Sequence, residues 1–176
     1  MGNKILAVCL DCGDTLVDEA TEVKNEYEVS LRADLIPGAD KLIERLKQRN
    51  YPLALVADGP VATFVNNLSP YGLYERFDVY AISETLGIEK PHPQIFRHAL
   101  DQLGISQNDY AKVVMVGNNL SRDVKGANEL GIISVWLDWA PRRHKIPLDV
   151  TERPRYTIRT PLELLGVLEN LEQSLP

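Results

Sequence analysis

The sequence has little of what several protein classes require. Its 176 residues include only two cysteines and three histidines, too few for a disulfide framework or a typical zinc site. No apolar run approaches the roughly 20 residues that cross a bilayer, and the first residues lack the pattern of a cleavable signal peptide. Acidic residues outnumber basic ones by 25 to 19, which argues against a general nucleic-acid binder. We therefore expect a cytoplasmic protein that binds neither membranes nor nucleic acid.

The two cysteines, Cys9 and Cys12, have the C-x-x-C spacing of some metal and redox sites. No second cysteine pair exists, and the three histidines are scattered along the chain. The pair also belongs to a predicted strand and its exit turn rather than to the start of a helix. We expect two reduced thiols beside the core.

What the sequence does have is the composition of a globular protein, 44% hydrophobic and 25% charged, and a regular alternation of two patterns. Apolar runs of strand length occur at residues 5–10, 53–57, 77–82, 113–116 and 132–137. Segments with helical spacing or helix-start signals occur at residues 41–47, from 60 onward, and at 93–103, 120–130 and 161–171. This alternation is typical of a parallel sheet with helices on both faces. We expect one α/β domain over residues 1–176, a three-layer sandwich around a mostly parallel sheet.

Polar residues follow the predicted strands at their carboxyl ends. Asp11 follows the first strand, Asp58 and Gly59 follow the second, and Asn118 follows the fourth. Lys90 lies just before the helix that begins at residue 93. Because ligands of open α/β sheets bind beyond the carboxyl ends of the strands, we expect these side chains to meet at one edge of the sheet.

Four segments occur in a distinctive order: 11–16 (DCGDTL), 53–59 (LALVADG), 90–96 (KPHPQIF), and 114–119 (VMVGNN) with Asp123 shortly after it. In this order they resemble the motifs of the haloacid dehalogenase-like hydrolase superfamily. The resemblance covers nearly the whole chain. It implies a Rossmann-like core and a reaction that uses an aspartate nucleophile.

The resemblance also implies a role for each matching residue. Asp11 is the implied nucleophile and Lys90 the catalytic cation, and the implied cofactor is Mg²⁺. A carboxylate that attacks a phosphate dianion needs positive charge nearby, which a metal ion and a lysine supply. The implied metal ligands are Asp11, the carbonyl of Gly13, Asn118 and Asp123. The implied substrate-binding residues are Ala57, Asp58, Gly59, Lys90 and Asn118.

Three positions depart from the pattern of the family's phosphatases. Gly13 stands where they have a second aspartate, which protonates the leaving oxygen and then activates water. Ala57 replaces a Ser or Thr that binds a phosphoryl oxygen, and Asn118 replaces an aspartate of the last motif. Loss of a general acid or base costs about 10² to 10⁴ in rate. Asp14 and Asp58 are the neighbouring carboxylates that the sequence offers in place of a missing catalytic group.

The family often inserts a cap domain after the first motif, where this chain has only residues 17–35. We expect a short flap or hairpin there and no separate cap domain. An open site suits a phosphorylated macromolecule or a bulky metabolite, unless a second copy of the chain covers it. Trp139, Arg142 and Arg143 follow the last predicted strand at the same edge. They bind an anionic ligand, form a surface or subunit contact, or pair with the acidic insert.

Three functions remain open. The first is a Mg²⁺-dependent phosphohydrolase of low or specialised activity, acting on a phosphorylated small molecule or macromolecule. The second is a non-catalytic module that keeps the fold and binds a ligand or protein. The third is cleavage of a carbon–halogen or carbon–phosphorus bond at the same aspartate. We expect the first, because Asp11, Lys90 and Asp123 are all retained.

Overall fold

The computed structural model describes residues 2–175, in which the chain forms eight strands and six α-helices. The strands are β1 (Ala7–Leu10), β2 (Val23–Lys24), β3 (Ser30–Arg32), β4 (Leu53–Ala57), β5 (Val79–Ile82), β6 (Val113–Gly117), β7 (Ile133–Leu137) and β8 (Tyr156–Ile158). The helices are α1 (Ala39–Gln48), α2 (Val61–Leu68), α3 (Ser83–Leu86), α4 (Pro93–Gln102), α5 (Lys125–Glu129) and α6 (Glu163–Ser174). No helix among residues 2–175 has the length and apolar character needed to cross a membrane.

Six strands form one central sheet in the order β5-β4-β1-β6-β7-β8, and every neighbouring pair in it is parallel. After β1 the chain adds β4 and β5 on one side of it, and then crosses over to add β6, β7 and β8 on the other side. Ligands of such sheets bind in the crevice where the strand order reverses. That point lies here at the carboxyl end of β1. The predicted α/β fold with a mostly parallel sheet is confirmed.

Helices cover both faces of the sheet, because successive strand residues point to opposite sides. Val8 and Leu10 of β1 belong to the core cluster that contains the apolar residues of α1, α2 and α6. Ala7 and Cys9 belong to the cluster formed with α4 and α5. Cys9 and Cys12 are both buried and free, and burial raises the pKa of the Cys9 thiol to about 12. The expectation of two reduced thiols beside the core therefore agrees with the structure.

The structure departs from the sequence-based elements in three main places. The short helix α3, Ser83–Leu86, follows β5 directly and was not predicted. The sheet gains a sixth strand, β8, which pairs with β7 and was not predicted. It has only three residues, Tyr-Thr-Ile, which are too few to show a strand pattern in the sequence. The predicted helix over residues 120–130 begins with a π-helical turn, Leu120–Val124, before α5. Wider turns of this kind occur often at functional sites.

The insert over residues 17–35 contains a short 3₁₀ turn, Glu19–Thr21, and the antiparallel hairpin of β2 and β3. The hairpin is fixed to α2 through Ser30, which is fully buried. The Ser30 hydroxyl donates to Asn67 Oδ1 at 2.8 Å, and the Ser30 amide donates to Thr63 Oγ1 at 3.0 Å. The Asn66 side chain donates to the Ser30 carbonyl at 2.9 Å. The insert therefore has a defined position beside α2.

Two glycines, one in α5 and one in α6, give a test of how closely these helices pack against the rest of the protein. A Cβ atom on Gly126 in α5 would lie 2.3 Å from the ring of Phe96, which is itself buried in the core. We expect Gly126→Ala to lower the free energy of unfolding by about 1–3 kcal/mol. Gly166 in α6 has no atom within 4 Å of such a Cβ, so Gly166→Ala should raise it by up to about 1 kcal/mol. Urea unfolding measures both changes, and equal effects would contradict the packing of α5 on α4.

Candidate active site

The ammonium group of Lys90 lies among three oxygen atoms at the carboxyl edge of the sheet. Its Nζ donates to Asp11 Oδ1 at 2.8 Å, to Asp123 Oδ1 at 2.7 Å and to the Val56 carbonyl at 2.8 Å. These three bonds use all three donors of a lysine side chain. Only 2% of the Lys90 side chain is exposed. The structure thus brings together Asp11, Lys90 and Asp123, which are far apart in the sequence.

Charge and burial act against each other in this cluster. Burial lowers the pKa of Lys90, but attraction to Asp11 and Asp123 outweighs it and leaves that pKa above its usual value. Burial and repulsion from Asp11 raise the pKa of Asp123 to about 7, although Lys90 opposes the rise. Two carboxylates share one ammonium group, so the cluster has an excess of negative charge. A further cation at this place would stabilise both carboxylates.

The π-helical turn after β6 places Asp123 in the cluster. Its second oxygen, Oδ2, accepts a hydrogen bond from the Asn119 amide at 3.0 Å. The side chain also lies directly against Gly117, where an added Cβ atom would be 2.2 Å from Asp123 Cγ. Glycine at the end of β6 therefore allows the Asp123 carboxylate to approach the sheet and reach Lys90.

A cavity of about 290 Å³ opens over this cluster. Six carboxylate and four cationic side chains line it, which leaves two negative charges in excess when all ten are ionised. The carboxylates are Asp11, Glu19, Glu22, Glu28, Asp58 and Asp123, and the cations are Lys24, Lys90, Arg122 and Arg143. A phosphate dianion would meet net repulsion in the cavity unless a bound cation offsets this charge.

The oxygen atoms at the cavity suit Mg²⁺. Asp11, Gly13, Asn118 and Asp123 all line it, and between them these residues carry two carboxylates, a backbone carbonyl and a side-chain amide. Mg²⁺ is commonly held by one or two carboxylates, with waters completing six oxygen ligands. The Asn118 side-chain nitrogen is buried without a hydrogen-bond partner among residues 2–175; it is a donor and no metal ligand, so Asn118 would bind a metal only through its side-chain oxygen. Within the same residues no three His, Cys, Asp or Glu side chains form a metal cluster, so a metal bound here would also need neutral oxygen ligands.

The residues that follow β4, at the end of the motif segment 53–59, are not arranged as an anion site at the start of α2 would require. Asp58 does not cap the helix, because its carboxylate accepts from the Lys90 amide at 2.9 Å and from Arg122 at 3.1 Å. The amides of Gly59 and Val61 donate to the side chains of Ser83 and Glu84. Ala57 is fully buried in β4 and does not line the cavity. The sequence did not indicate Arg122, which adds a cation to the cavity wall.

Asp14 is not available to replace a missing catalytic group. Its side chain is fully buried, and it accepts from the Glu19 amide at 3.1 Å and from two nitrogens of Arg142. Its φ of 51° turns the chain sharply after Gly13. Asp14 does not line the cavity. This overturns one of the two replacements that the sequence offered.

The loop after β7 pairs with the acidic insert, one of the three alternatives for that loop. Arg142 contacts Asp18 at 2.8 Å as well as Asp14, and Arg143 lies 3.6 Å from the Glu19 carboxylate. Burial and the Asp14 carboxylate raise the pKa of Glu19, which Arg143 opposes. Trp139 packs partly buried against the core. The pairing therefore fixes the insert next to the cavity, and Glu19 becomes part of its wall.

Comparison with known proteins agrees with this geometry. The haloacid dehalogenase-like hydrolase family matches residues 7–131, a range that contains Asp11, Lys90 and Asp123. The chain belongs to the haloacid dehalogenase-like hydrolases. It is 31% identical over 134 residues to a glyceraldehyde 3-phosphate phosphatase of Pyrococcus furiosus, covering 76% of this chain and 54% of the relative. It is 36% identical over 107 residues to a phosphoserine phosphatase of Thermus thermophilus, covering 61% of this chain and 42% of the relative.

A solved structure of a phosphatase is also similar to this chain. The HAD phosphatase from Thermococcus onnurineus superposes with a TM-score of 0.66 at 31% identity, covering 77% of this chain and 59% of that protein. The chain therefore spans about half the length of the curated relatives that it matches. The range that matches the family, residues 7–131, contains four of the six strands of the sheet, β1, β4, β5 and β6, and all four motif segments.

Proposed function

We propose that this chain is a Mg²⁺-dependent phosphohydrolase in which Asp11 is the nucleophile. The observation that carries the proposal is the Lys90 ammonium group bonded at once to Asp11 and Asp123, at the edge where the strand order reverses. This is the position at which parallel α/β sheets bind their ligands. The phosphatase names of the relatives support the same reaction class.

The residues of the cavity suit phosphoryl transfer through a covalent intermediate. Lys90 holds one oxygen of Asp11 and orients the carboxylate for attack on phosphorus. The Asp11–phosphorus bond forms as the ester P–O bond breaks, and a water molecule then hydrolyses the acyl phosphate and regenerates Asp11. Bound Mg²⁺, held by Asp11, Gly13, Asn118 and Asp123, would offset the negative charge of the site and polarise the phosphoryl group.

The substrate class follows from the size of the site. A cavity of about 290 Å³ is close to the lower end of the range for small-molecule pockets. We propose a small phosphate monoester rather than a macromolecule, in line with the glyceraldehyde 3-phosphate and phosphoserine in the relatives' names. For the location we propose the cytoplasm, because Cys9 and Cys12 are free thiols, as is usual in a reducing compartment.

Hydrolysis of 4-nitrophenyl phosphate tests the proposal. This substrate has an activated leaving group, so it needs little protonation and tolerates the departure at Gly13. We expect turnover in Mg²⁺ that EDTA abolishes and that added Mg²⁺ restores. A mock purification from cells without the gene controls for contaminating phosphatases. If the protein is inert at high enzyme and Mg²⁺ concentrations, the departures at Gly13, Ala57 and Asn118 favour the non-catalytic binding module instead.

A further inference from the structure

The space beside Gly13 is filled by the carboxylate of another residue. A Cβ atom built on Gly13 would lie 2.1 Å from Glu19 Oε1 and 2.9 Å from Glu19 Cδ. The Glu19 carboxyl group therefore occupies the volume that a side chain at position 13 would take. Both residues line the cavity that contains Asp11. The carboxylate that position 13 lacks is supplied to the same place from the insert.

Several contacts hold Glu19 there. Its amide donates to Asp14 Oδ1 at 3.1 Å, and Asp18 begins the short turn by accepting from the Ala20 amide at 2.9 Å. Arg142 binds both Asp14 and Asp18, which ties the start of this turn to Asp14. The Glu19 backbone is thus fixed by neighbours outside the cavity, while its side chain reaches over Gly13 into the cavity.

We propose that Glu19 is the general acid and base of this site, in place of a side chain at position 13. The inference rests on the proposed function, because it assigns a residue to the same reaction. It is carried by the position of the Glu19 carboxyl group over Gly13, in the cavity that Asp11 also lines.

The proton transfers balance over the two steps. In the first, Asp11 attacks phosphorus and the ester P–O bond breaks, while the Glu19 carboxyl group gives its proton to the leaving oxygen. In the second, the Glu19 carboxylate takes a proton from water as the oxygen of that water attacks the phosphorus. The bond between phosphorus and Asp11 then breaks. The products are the alcohol and inorganic phosphate, with Asp11 ionised and Glu19 protonated as at the start.

A purely structural role for Glu19 predicts a different result. If Glu19 only paired with Arg143, its loss would disturb the loop and affect all phosphate esters alike, since they carry the same phosphoryl group. A general acid matters most when the leaving group is poor. The dependence of the rate on the leaving group therefore separates the two roles.

The experiment compares Glu19→Gln with the wild type on two kinds of ester in Mg²⁺. The first is 4-nitrophenyl phosphate, and the second is the alkyl phosphate that the wild type hydrolyses fastest among O-phosphoserine, glyceraldehyde 3-phosphate and nucleoside 5′-monophosphates. We expect kcat/KM to fall about 10²–10⁴-fold on the alkyl ester and less than about 10-fold on the aryl ester. Glu26→Gln removes the same charge from an exposed position of the insert and should change neither value. Arg143→Ala keeps the Glu19 carboxyl group, so it should lower kcat/KM on the alkyl ester less than Glu19→Gln does.

A pair of exchange variants gives a second test. Gly13→Asp alone places its side chain against Glu19, so the two carboxylates compete for one space. Combined with Glu19→Ala, the new carboxylate has that space to itself. We expect the double variant to hydrolyse the alkyl ester at least about 10-fold faster than Glu19→Ala alone. Mass spectrometry gives a readout besides turnover, because Glu19→Gln should accumulate phosphorylated Asp11 from the aryl ester when the base for the second step is missing.

The outcomes separate this inference from the proposed function. If no ester is hydrolysed by the wild type, the proposed function fails and this inference fails with it. If the aryl ester is turned over but every alkyl ester is refused, the site has no general acid and the inference alone is wrong. Equal losses on both esters in Glu19→Gln, or no loss on either, also overturn it and leave the proposed function standing.

Discussion

Asp11→Asn is expected to lower kcat on 4-nitrophenyl phosphate by about 10⁴–10⁶-fold, the size of loss seen when a nucleophile is removed. Asparagine has nearly the same shape as aspartate, but its amide cannot form an acyl phosphate by attack on phosphorus. The variant should still fold, because Lys90 keeps its bonds to Asp123 and to the Val56 carbonyl. A steady-state assay at high enzyme concentration measures the residual rate.

The stability of Asp11→Asn is the matched control. The buried Asp123 carboxylate and the partly exposed Asp11 carboxylate share one ammonium group in the wild type, so removal of one negative charge relieves repulsion within the cluster. We expect the free energy of unfolding in the absence of Mg²⁺ to be unchanged or higher. A variant that folds as well as the wild type and keeps kcat within about 10-fold would exclude Asp11 as the nucleophile.

Lys90→Met is expected to lower both activity and stability. Removal of a cation that stabilises a transferring phosphoryl group costs about 10³-fold or more in kcat. It also leaves Asp123 buried without its charged partner, since the carboxylate side chain is only 2% exposed. Breaking a buried ion pair in this way costs about 3–5 kcal/mol in the free energy of unfolding. Urea unfolding without Mg²⁺ measures the second effect.

The loss of stability in Lys90→Met should depend on pH. Without the ammonium group the pKa of the buried Asp123 carboxyl rises further in the folded state, while it keeps its ordinary value in the unfolded chain. The folded state then binds a proton more tightly, so the variant is least destabilised at low pH and loses stability as pH rises. Lys112→Met, which removes an exposed partner of Asp109, should change the unfolding free energy by at most about 1 kcal/mol. A loss for Lys90→Met no larger than this control would contradict the buried ion-pair cluster.

The sheet could largely be predicted from the sequence, because five of its strands are mainly apolar segments between polar or glycine-containing turns. Leu53–Ala57 was predicted at its observed ends, and the other four to within about two residues. The strand Tyr156–Ile158 was not predicted, since a three-residue edge strand is set by pairing with β7 rather than by its own composition.

The triad of Asp11, Lys90 and Asp123 could be predicted for a similar reason. Asp11 follows the end of a strand, and Lys90 lies just before a helix at the same edge. The topology of a parallel sheet therefore brings them together. Asp123 reaches them because Gly117 allows a close approach at the end of β6. The order of the motifs was therefore enough to predict that these three side chains lie close together.

The position of Glu19 could not be predicted, because it depends on the path of an irregular insert. That path is set by the left-handed turn at Asp14 and by Arg142, which lies 128 residues further along the chain. The sequence instead suggested Asp14, which the structure uses to bind Arg142. Arg122 was missed as well, since only the folded chain brings it to Asp58. Local sequence patterns do not report contacts of this range.

Covalent labelling of the nucleophile would decide whether this site performs phosphoryl transfer. The wild-type protein is mixed with Mg²⁺ and 4-nitrophenyl phosphate, quenched in acid during turnover, digested and analysed by peptide mass spectrometry. We expect one phosphoryl group on the peptide that contains Asp11, present in the wild type and absent from Asp11→Asn. Steady turnover with no phosphorylated Asp11 peptide, or with the phosphoryl group on another residue, would contradict the proposed mechanism.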